Sequence, residues 1–214
     1  MSCCCAHSRS AGRLFSWVAR RCRKRFSKKG LERCQEQLMS GLARAGFSGA
    51  TVLDIGCGVG HLHQSLLERG ADSAVGIDLA PKMLAEARAW AADRGLSGRT
   101  QYVDGNFMEL ADAVVPADVT LLDKVVCCYP DADGLVHKSL ARTRRVYGLI
   151  YPRQRWLTRF GAAAGGFFLW LIRSDFRPYI HDPGQIETWI IAEGFQKCFE
   201  DKTAIWLTQV YICP

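Results

Sequence analysis

The chain reads as an α/β protein built on a seven-stranded, mostly parallel sheet with an antiparallel C-terminal strand and helices on both faces. Three observations predict this. Thr51-Val-Leu-Asp-Ile-Gly-Cys-Gly-Val-Gly60 passes from a short apolar run into three glycines at alternate positions, as a buried parallel strand does when it ends in a tight turn. Short apolar runs then alternate with helix-forming segments as far as Pro152. Finally, two strand-like stretches separated only by Lys202-Thr-Ala204 should close as an antiparallel hairpin.

Taken in order, residues 1–30 form a basic, cysteine-rich arm, and residues 31–214 a single domain. Leu31 to Ala45 places Leu31, Leu38, Leu42 and Ala45 on one helical face and stops at Gly46. Strand one is 51–55, and the helix after it, about 60–69, carries Leu62, Leu66 and Leu67 and stops at Gly70. Ala74 to Asp78 is strand two, and Pro81 opens a helix of strong helix formers ending near Asp93. Strand three covers Arg99 to Val103, with Asp104-Gly-Asn-Phe107 and a short helix behind it. Strand four covers Asp118 to Asp123, a helix runs from about Gly134 to Arg144, and strand five covers Val146 to Tyr151. An apolar helical insertion, about 153–178, interrupts the alternation. A helix from Pro183 to Glu193 and strands at Phe195–Asp201 and Ile205–Ile212 complete the chain.

The strand, glycine loop and helix together form a Rossmann-like ligand-binding unit. Counting from Gly56, the dinucleotide spacing G-x-G-x-x-G fails because His61 stands where the third glycine belongs, and no P-loop spacing is present. Asp54-Ile-Gly-Cys-Gly-Val-Gly60 instead resembles the first motif of class I S-adenosylmethionine-dependent methyltransferases. Downstream, Asp123-Lys-Val-Val-Cys-Cys-Tyr-Pro-Asp131 is similar to a region of the magnesium-protoporphyrin O-methyltransferases and their relatives. So is Tyr179-Ile-His181 followed by Ala192-Glu-Gly-Phe195. The likeness covers roughly residues 31 to 214 and implies S-adenosylmethionine as cofactor.

In an open α/β sheet the ligand lies beyond the carboxyl ends of the strands. The Gly56, Cys57, Gly58 and Gly60 backbone is therefore expected to face it with its N–H groups. Asp78, followed by Leu79, is placed to accept hydrogen bonds from a ribose diol, or else to cap the helix near Pro81. Asp54 should hold the loop or pair with a cationic ligand. The resemblance implies an adenine contact from Asp104 or Asn106, beside Phe107, and a methionyl contact from Asp123 and Lys124. No metal site is expected. Tyr129 and His181 are the candidate catalytic residues, as general bases or as walls of the acceptor pocket, with His137 a weaker base candidate. For His181 a structural hydrogen bond linking the insertion to the core is the safer reading. A carboxylate acceptor would need no base, since it is ionised at neutral pH.

Charge and cysteine content bound the partners. Net charge is +7, yet nine of the 28 basic residues precede the first acid, Glu32, which leaves 19 basic against 21 acidic residues beyond it. The arm reads as a transit peptide, as an amphipathic helix on an anionic membrane surface, or as a helix packed over the cofactor pocket, the reading favoured here. Nucleic acid is not expected as a partner. Ten cysteines without a secreted framework fit a reducing cytoplasm, and Cys3-Cys4-Cys5-Ala6-His7 matches no common zinc spacing. The twelve apolar residues Gly161 to Ile172 are too few to span a bilayer. With Trp156, Leu157, Phe160, Phe167, Phe168 and Trp170 they suit a lid over a hydrophobic or aromatic acceptor, and Arg153, Arg155 and Arg159 beside them could hold an acidic group. The expectation is a monomeric or weakly dimeric enzyme that methylates a small acceptor at oxygen, nitrogen or sulfur. The alternative is a non-catalytic binding protein of the same fold, associating with membrane or RNA through its arm.

Overall fold

A computed structural model of the chain describes residues 25–26, 28–155 and 179–214. Its helices are α1 (Arg33–Ala45), α2 (His61–Glu68), α3 (Pro81–Asp93), α4 (Phe107–Leu110), α5 (Ala132–Leu140) and α6 (Pro183–Ala192). Its strands are β1 (Thr51–Ile55), β2 (Ser73–Asp78), β3 (Thr100–Asp104), β4 (Ala117–Asp123), β5 (Thr143–Pro152), β6 (Gln196–Lys202) and β7 (Trp206–Ile212). They form one seven-stranded sheet in the order β3-β2-β1-β4-β5-β7-β6. Strands β1 to β5 are parallel, and β7 runs antiparallel to both of its neighbours.

Side-chain alternation along each strand divides the core between the two faces. Val52, Val119, Leu121, Ile150 and Val210 face α1 and α2, meeting Leu38, Leu42, Leu62 and Leu66. Leu53, Ile55, Leu122, Leu149 and Tyr151 face α5 and α6, meeting Leu135, Val136, Ile186 and Ile190. Chain reversal between β1 and its neighbours occurs at β1/β4, so the crevice opens where the carboxyl ends of these two strands diverge.

The largest departures from the sequence reading are at α5 and at the start of β5. Helix α5 begins at Ala132, capped by the Asp131 carboxylate on the Gly134 N–H at 2.8 Å, and ends at Leu140. Thr143, Arg144 and Arg145, expected near the end of that helix, already belong to β5, where Thr143 pairs with Ala117. The connecting turn of the hairpin is tied by Thr203, whose N–H donates to the Trp206 carbonyl at 2.9 Å. The arm up to residue 24 and most of the insertion (156–178) lie outside the described residues, and with them Cys3 to Cys5, Arg159 and the aromatic lid. Arg153 is described, and it does not stand ready for a substrate acid. Its Nη1 donates to the Thr203 carbonyl at 2.9 Å and its backbone N–H to the Ile205 carbonyl at 2.8 Å. Among the described residues no helix is long and apolar enough to cross a membrane.

Candidate active site

The glycine turn after β1 is shaped by contacts that leave no room for a side chain at Gly56 or Gly60. Gly56 has φ +67°, and a Cβ there would lie 2.5 Å from Val125 Cγ2. Gly60 has φ +75°, and its Cβ would lie 2.8 Å from the His63 ring. The expectation that the loop's N–H groups face the ligand needs correction. Gly56 and Cys57 both donate to the Ile77 carbonyl, at 2.7 and 3.0 Å, and Gly60 donates to the Cys57 carbonyl at 2.9 Å. The Gly58 N–H donates to Asp78 Oδ2 at 2.8 Å. With these amides committed within the protein, they form no anion cradle of the kind phosphates require. Cys57 is buried, and burial pushes its thiol well above its ordinary value, so this cysteine packs against the turn as a neutral group.

Asp78 closes this end of the crevice. Its second oxygen accepts the Ala80 N–H at 2.8 Å, so it steadies the entry to α3 as well as the glycine turn. Both readings of Asp78 therefore hold together, since each carboxylate oxygen keeps a further lone pair. Burial raises its carboxyl above the ordinary 3.8, although the Ala80 and Gly58 N–H groups pull it down. Leu79 packs against the core beside it.

The opposite end is built from the β4 terminus and the start of α1. A cleft of about 200 Å³ is lined there by Glu32, Gln35, Asp54, Gly56, Cys57, Gly58, His61, Asp123 and Lys124. Gln35 ties it together: its Nε2 donates to Asp123 Oδ2 and stands 2.7 Å from His61 Nε2, while its Oε1 accepts the Glu32 N–H at 3.0 Å. Lys124 has φ +61°, the one described non-glycine residue in the left-handed region. Its Nζ donates to Glu32 Oε2 at 2.9 Å and lies 5.2 Å from the centre of the Trp206 ring. Glu32 also pairs with Arg25. Burial works against the Lys124 charge, but Asp123 and Glu32 hold the ammonium above its ordinary value.

Two polar atoms on this wall are buried and have no hydrogen-bond partner among the described residues, Asp123 Oδ1 and His61 Nδ1. Lys124 Nζ stands 4.0 Å from the former. Burial raises the Asp123 carboxyl and lowers the His61 imidazole, which leaves the histidine neutral. A buried acceptor without a donor is costly unless a ligand supplies one. Asp54, at the base of the cleft, is only 1% exposed and accepts from His63 Nδ1 at 2.8 Å, itself 0% exposed. His63 Nε2 lies 3.2 Å from the Tyr102 hydroxyl, which also accepts from Gln64 Nε2 at 2.8 Å. The motif acid is thus anchored through α2 to β3.

At the end of β3, Asp104 is exposed, whereas Asn106, just past the strand, is buried. Asn106 caps α4, its Oδ1 accepting the Met108 N–H at 3.2 Å and the Tyr129 hydroxyl at 3.0 Å, and Phe107 is fully buried beneath it. Tyr129 is itself buried, and its carbonyl lies 2.9 Å from His181 Nε2. Tyr179 stacks on His181 and donates its N–H to the Cys127 carbonyl at 2.8 Å. The two residues expected to be catalytic are therefore bonded into the joint between the 126–129 turn and the 179–181 segment, the structural alternative foreseen for His181. His137 is elsewhere, paired with Asp133 and Glu193 on the surface.

The structure brings Asp54, Gly56, Cys57, Gly58, Asp123 and Lys124 to one cleft, with Asp78 bonded to its glycine wall. Gln35, His61 and Glu32 line the same cleft and were not singled out in the sequence. Position offered the only signal for His61, which directly follows the last glycine. Carboxylates at both ends and no phosphate cradle suit a ligand that carries cations and a diol, which is what S-adenosylmethionine presents.

A family model described as a methyltransferase domain matches residues 52–147. The ubiquinone biosynthesis O-methyltransferase of Pseudomonas aeruginosa is 46% identical over 160 residues, covering 72% of this chain and 67% of the relative. The protein of the same name from Azorhizobium caulinodans is 44% identical over 154 residues, 69% of this chain; the chain spans only 59% of that relative's length. Among solved structures, magnesium protoporphyrin IX methyltransferase from Synechocystis PCC 6803, with SAH bound, superposes with a TM-score of 0.69. It is 20% identical and covers 85% of this chain and 82% of that one, a likeness of fold.

Proposed function

Because the chain belongs to the class I S-adenosylmethionine-dependent methyltransferases, we propose that it binds S-adenosylmethionine in this crevice and transfers its methyl group to a small hydrophobic or aromatic acceptor. The observation that carries the reading is the buried Asp123 Oδ1, which has no hydrogen-bond partner among the described residues, in a cleft that the glycine turn also lines. Asp123 would take the ligand's ammonium group, Asp54 would offset its charge from the base of the cleft, and Asp78 would accept from the ribose hydroxyls. When bound, the cofactor supplies a methyl carbon activated by a sulfonium. The chain supplies position: glycines that permit close approach, a fixed carboxylate at each end, and a dry wall at Tyr129.

O-methylation is favoured by the names of the Pseudomonas and Azorhizobium relatives. A hydroxyl acceptor needs somewhere to send its proton. Tyr129 and His181 remain the nearest candidates in the sequence, but their hydrogen bonds to Asn106 and to the Tyr129 carbonyl suit them to shaping the acceptor side, with proton loss to solvent or to the acceptor's own ionisation. A small-molecule acceptor and a cytoplasmic setting complete the proposal. Calorimetric titration with S-adenosylmethionine should show saturable, one-to-one binding, and absence of heat at high micromolar ligand would overturn it. Incubating the protein with isotope-labelled cofactor and a cell extract should label small organic compounds; label confined to protein or RNA would refute the acceptor class.

A further inference from the structure

Cys127 and Cys128 are adjacent in the short turn Val126–Cys128 that follows β4. Neither serves the chemistry above. Both sulfurs donate to one acceptor, the Lys124 carbonyl, Cys127 Sγ at 3.3 Å and Cys128 Sγ at 3.5 Å. Two thiols that share a single oxygen occupy the same few ångströms of space. Cys128 is partly exposed, Cys127 is buried beneath it, and both are reduced. The turn sits between the cofactor wall at Asp123-Lys124 and the Tyr129–His181 joint.

Geometry selects what such a pair can hold. Neighbouring Cα atoms lie about 3.8 Å apart across a trans peptide, short of the roughly 4.4–6.8 Å that disulfides span. Direct oxidation to a disulfide therefore works against the turn. A tetrahedral zinc site needs four ligands, and among the described residues no group of three or more His, Cys, Asp or Glu side chains could hold a metal ion. An element that is satisfied by two thiolates, and that sits between the sulfurs so as to close a larger, less constrained ring than a disulfide, meets both constraints.

We propose that Cys127 and Cys128 form a dithiol site for trivalent arsenicals, and that its occupation loosens the cofactor cleft. In the capture step an arsenical R–As=O reacts with the two thiols. Two As–S bonds form, the As=O bond breaks, and the oxygen leaves as water with both thiol protons, with no change in oxidation state. Both S–H donors are thereby withdrawn from Lys124, whose left-handed backbone carries the Asp123–Lys124 wall. The second half of the proposal rests on the cofactor reading; the first does not.

The test uses phenylarsine oxide on the full chain carrying Cys3→Ser, Cys4→Ser and Cys5→Ser, which removes the other run of adjacent cysteines. Intact-mass spectrometry should show one adduct, equal to the reagent less one water, that is reversed by a dithiol and resists a monothiol. The adduct should vanish in both Cys127→Ser and Cys128→Ser versions; its persistence in either overturns the site. These versions should keep the parent's circular dichroism, and if Cys127→Ser misfolds, the more exposed Cys128→Ser decides. S-adenosylmethionine affinity should fall about tenfold in the adduct, as expected when two weak hydrogen bonds are withdrawn from a binding segment. Unchanged affinity refutes the coupling alone, whereas lack of cofactor binding before treatment refutes the functional reading and leaves the dithiol site standing.

Discussion

Replacing His63 by leucine should be among the most damaging single changes to the unliganded protein, and a second change should repair it. His63 donates to the Asp54 carboxylate at 2.8 Å, with relative side-chain exposures of 0% and 2%. Without the imidazole, Asp54 is left as a buried anion with its partner removed, which costs about 3–5 kcal/mol. That is a large share of the roughly 5–15 kcal/mol that holds a native domain together. Tyr102 loses the same ring, but it keeps Gln64 at 2.8 Å and its own bond to the Ala87 carbonyl at 3.3 Å, so its share is small. Asp54→Asn alone preserves an acceptor of the same shape for His63 and should cost about 1 kcal/mol. In the double variant the stranded group is a neutral amide, so Asp54→Asn should raise the stability of His63→Leu while lowering that of the wild type. Urea unfolding at neutral pH without cofactor, followed by far-ultraviolet circular dichroism, gives the four free energies of the cycle. A loss below about 1 kcal/mol for His63→Leu, or a double variant weaker than His63→Leu, would refute this account of the buried hydrogen bond.

Asp123→Asn should keep the Gln35 bond and leave unliganded stability within about 0.5 kcal/mol at neutral pH, while S-adenosylmethionine affinity drops at least about tenfold through loss of a charge-assisted bond; equal affinity in a calorimeter would count against the ammonium contact. Burial places the Asp123 carboxyl above its ordinary 3.8, so its contribution to stability is complete below 3.8 and is lost as pH rises through the folded value. The stability of wild type relative to Asp123→Asn should therefore decline as pH climbs from 3.8, while wild-type cofactor affinity rises over the same window, both readable by titration at a series of pH values. Gly56→Ala forces a Cβ to within 2.5 Å of Val125 and should cost about 1–3 kcal/mol. Part of that should return with Val125→Ala, and calorimetric melting would show it. Gly58→Ala meets nothing within 4 Å and should lose only about 1 kcal/mol of backbone strain.

Much of the fold could be read from the chain because its signals are local. The apolar run ahead of Gly56, Pro81 at a helix start and the three-residue hairpin turn each act within a few residues of themselves. The start of β5 was missed because Thr143-Arg-Arg145 is polar and lies at the sheet's end, where pairing with Ala117 matters more than burial. The carboxylates of the site were legible from their places at the carboxyl ends of β1, β2 and β4. Gln35, His61 and His63 were not, since polar residues on amphipathic helices ordinarily point to water. Only the packing of α1 and α2 against the β4 terminus turns them inward. The amides of the glycine turn were misjudged for a related reason: the Ile77 carbonyl that claims two of them comes from a neighbouring strand.

The position of β7 has a consequence for the order in which the molecule can fold. The buried strand β7 follows the exposed strand β6 in sequence but lies inside it, between β5 and β6. Growth of the sheet past β5 must wait for a zipper that joins Val146 to Ile212, and β6 can be seated only through β7. Such distant pairing is slow compared with local helix formation. Helix α1 shares the wait, because Thr208 on β7 donates to the Cys34 carbonyl at 3.2 Å, one residue before the Gln35 that braces Asp123. The cofactor wall, assembled largely from the first half of the chain, is thus completed by one of the last strands to arrive.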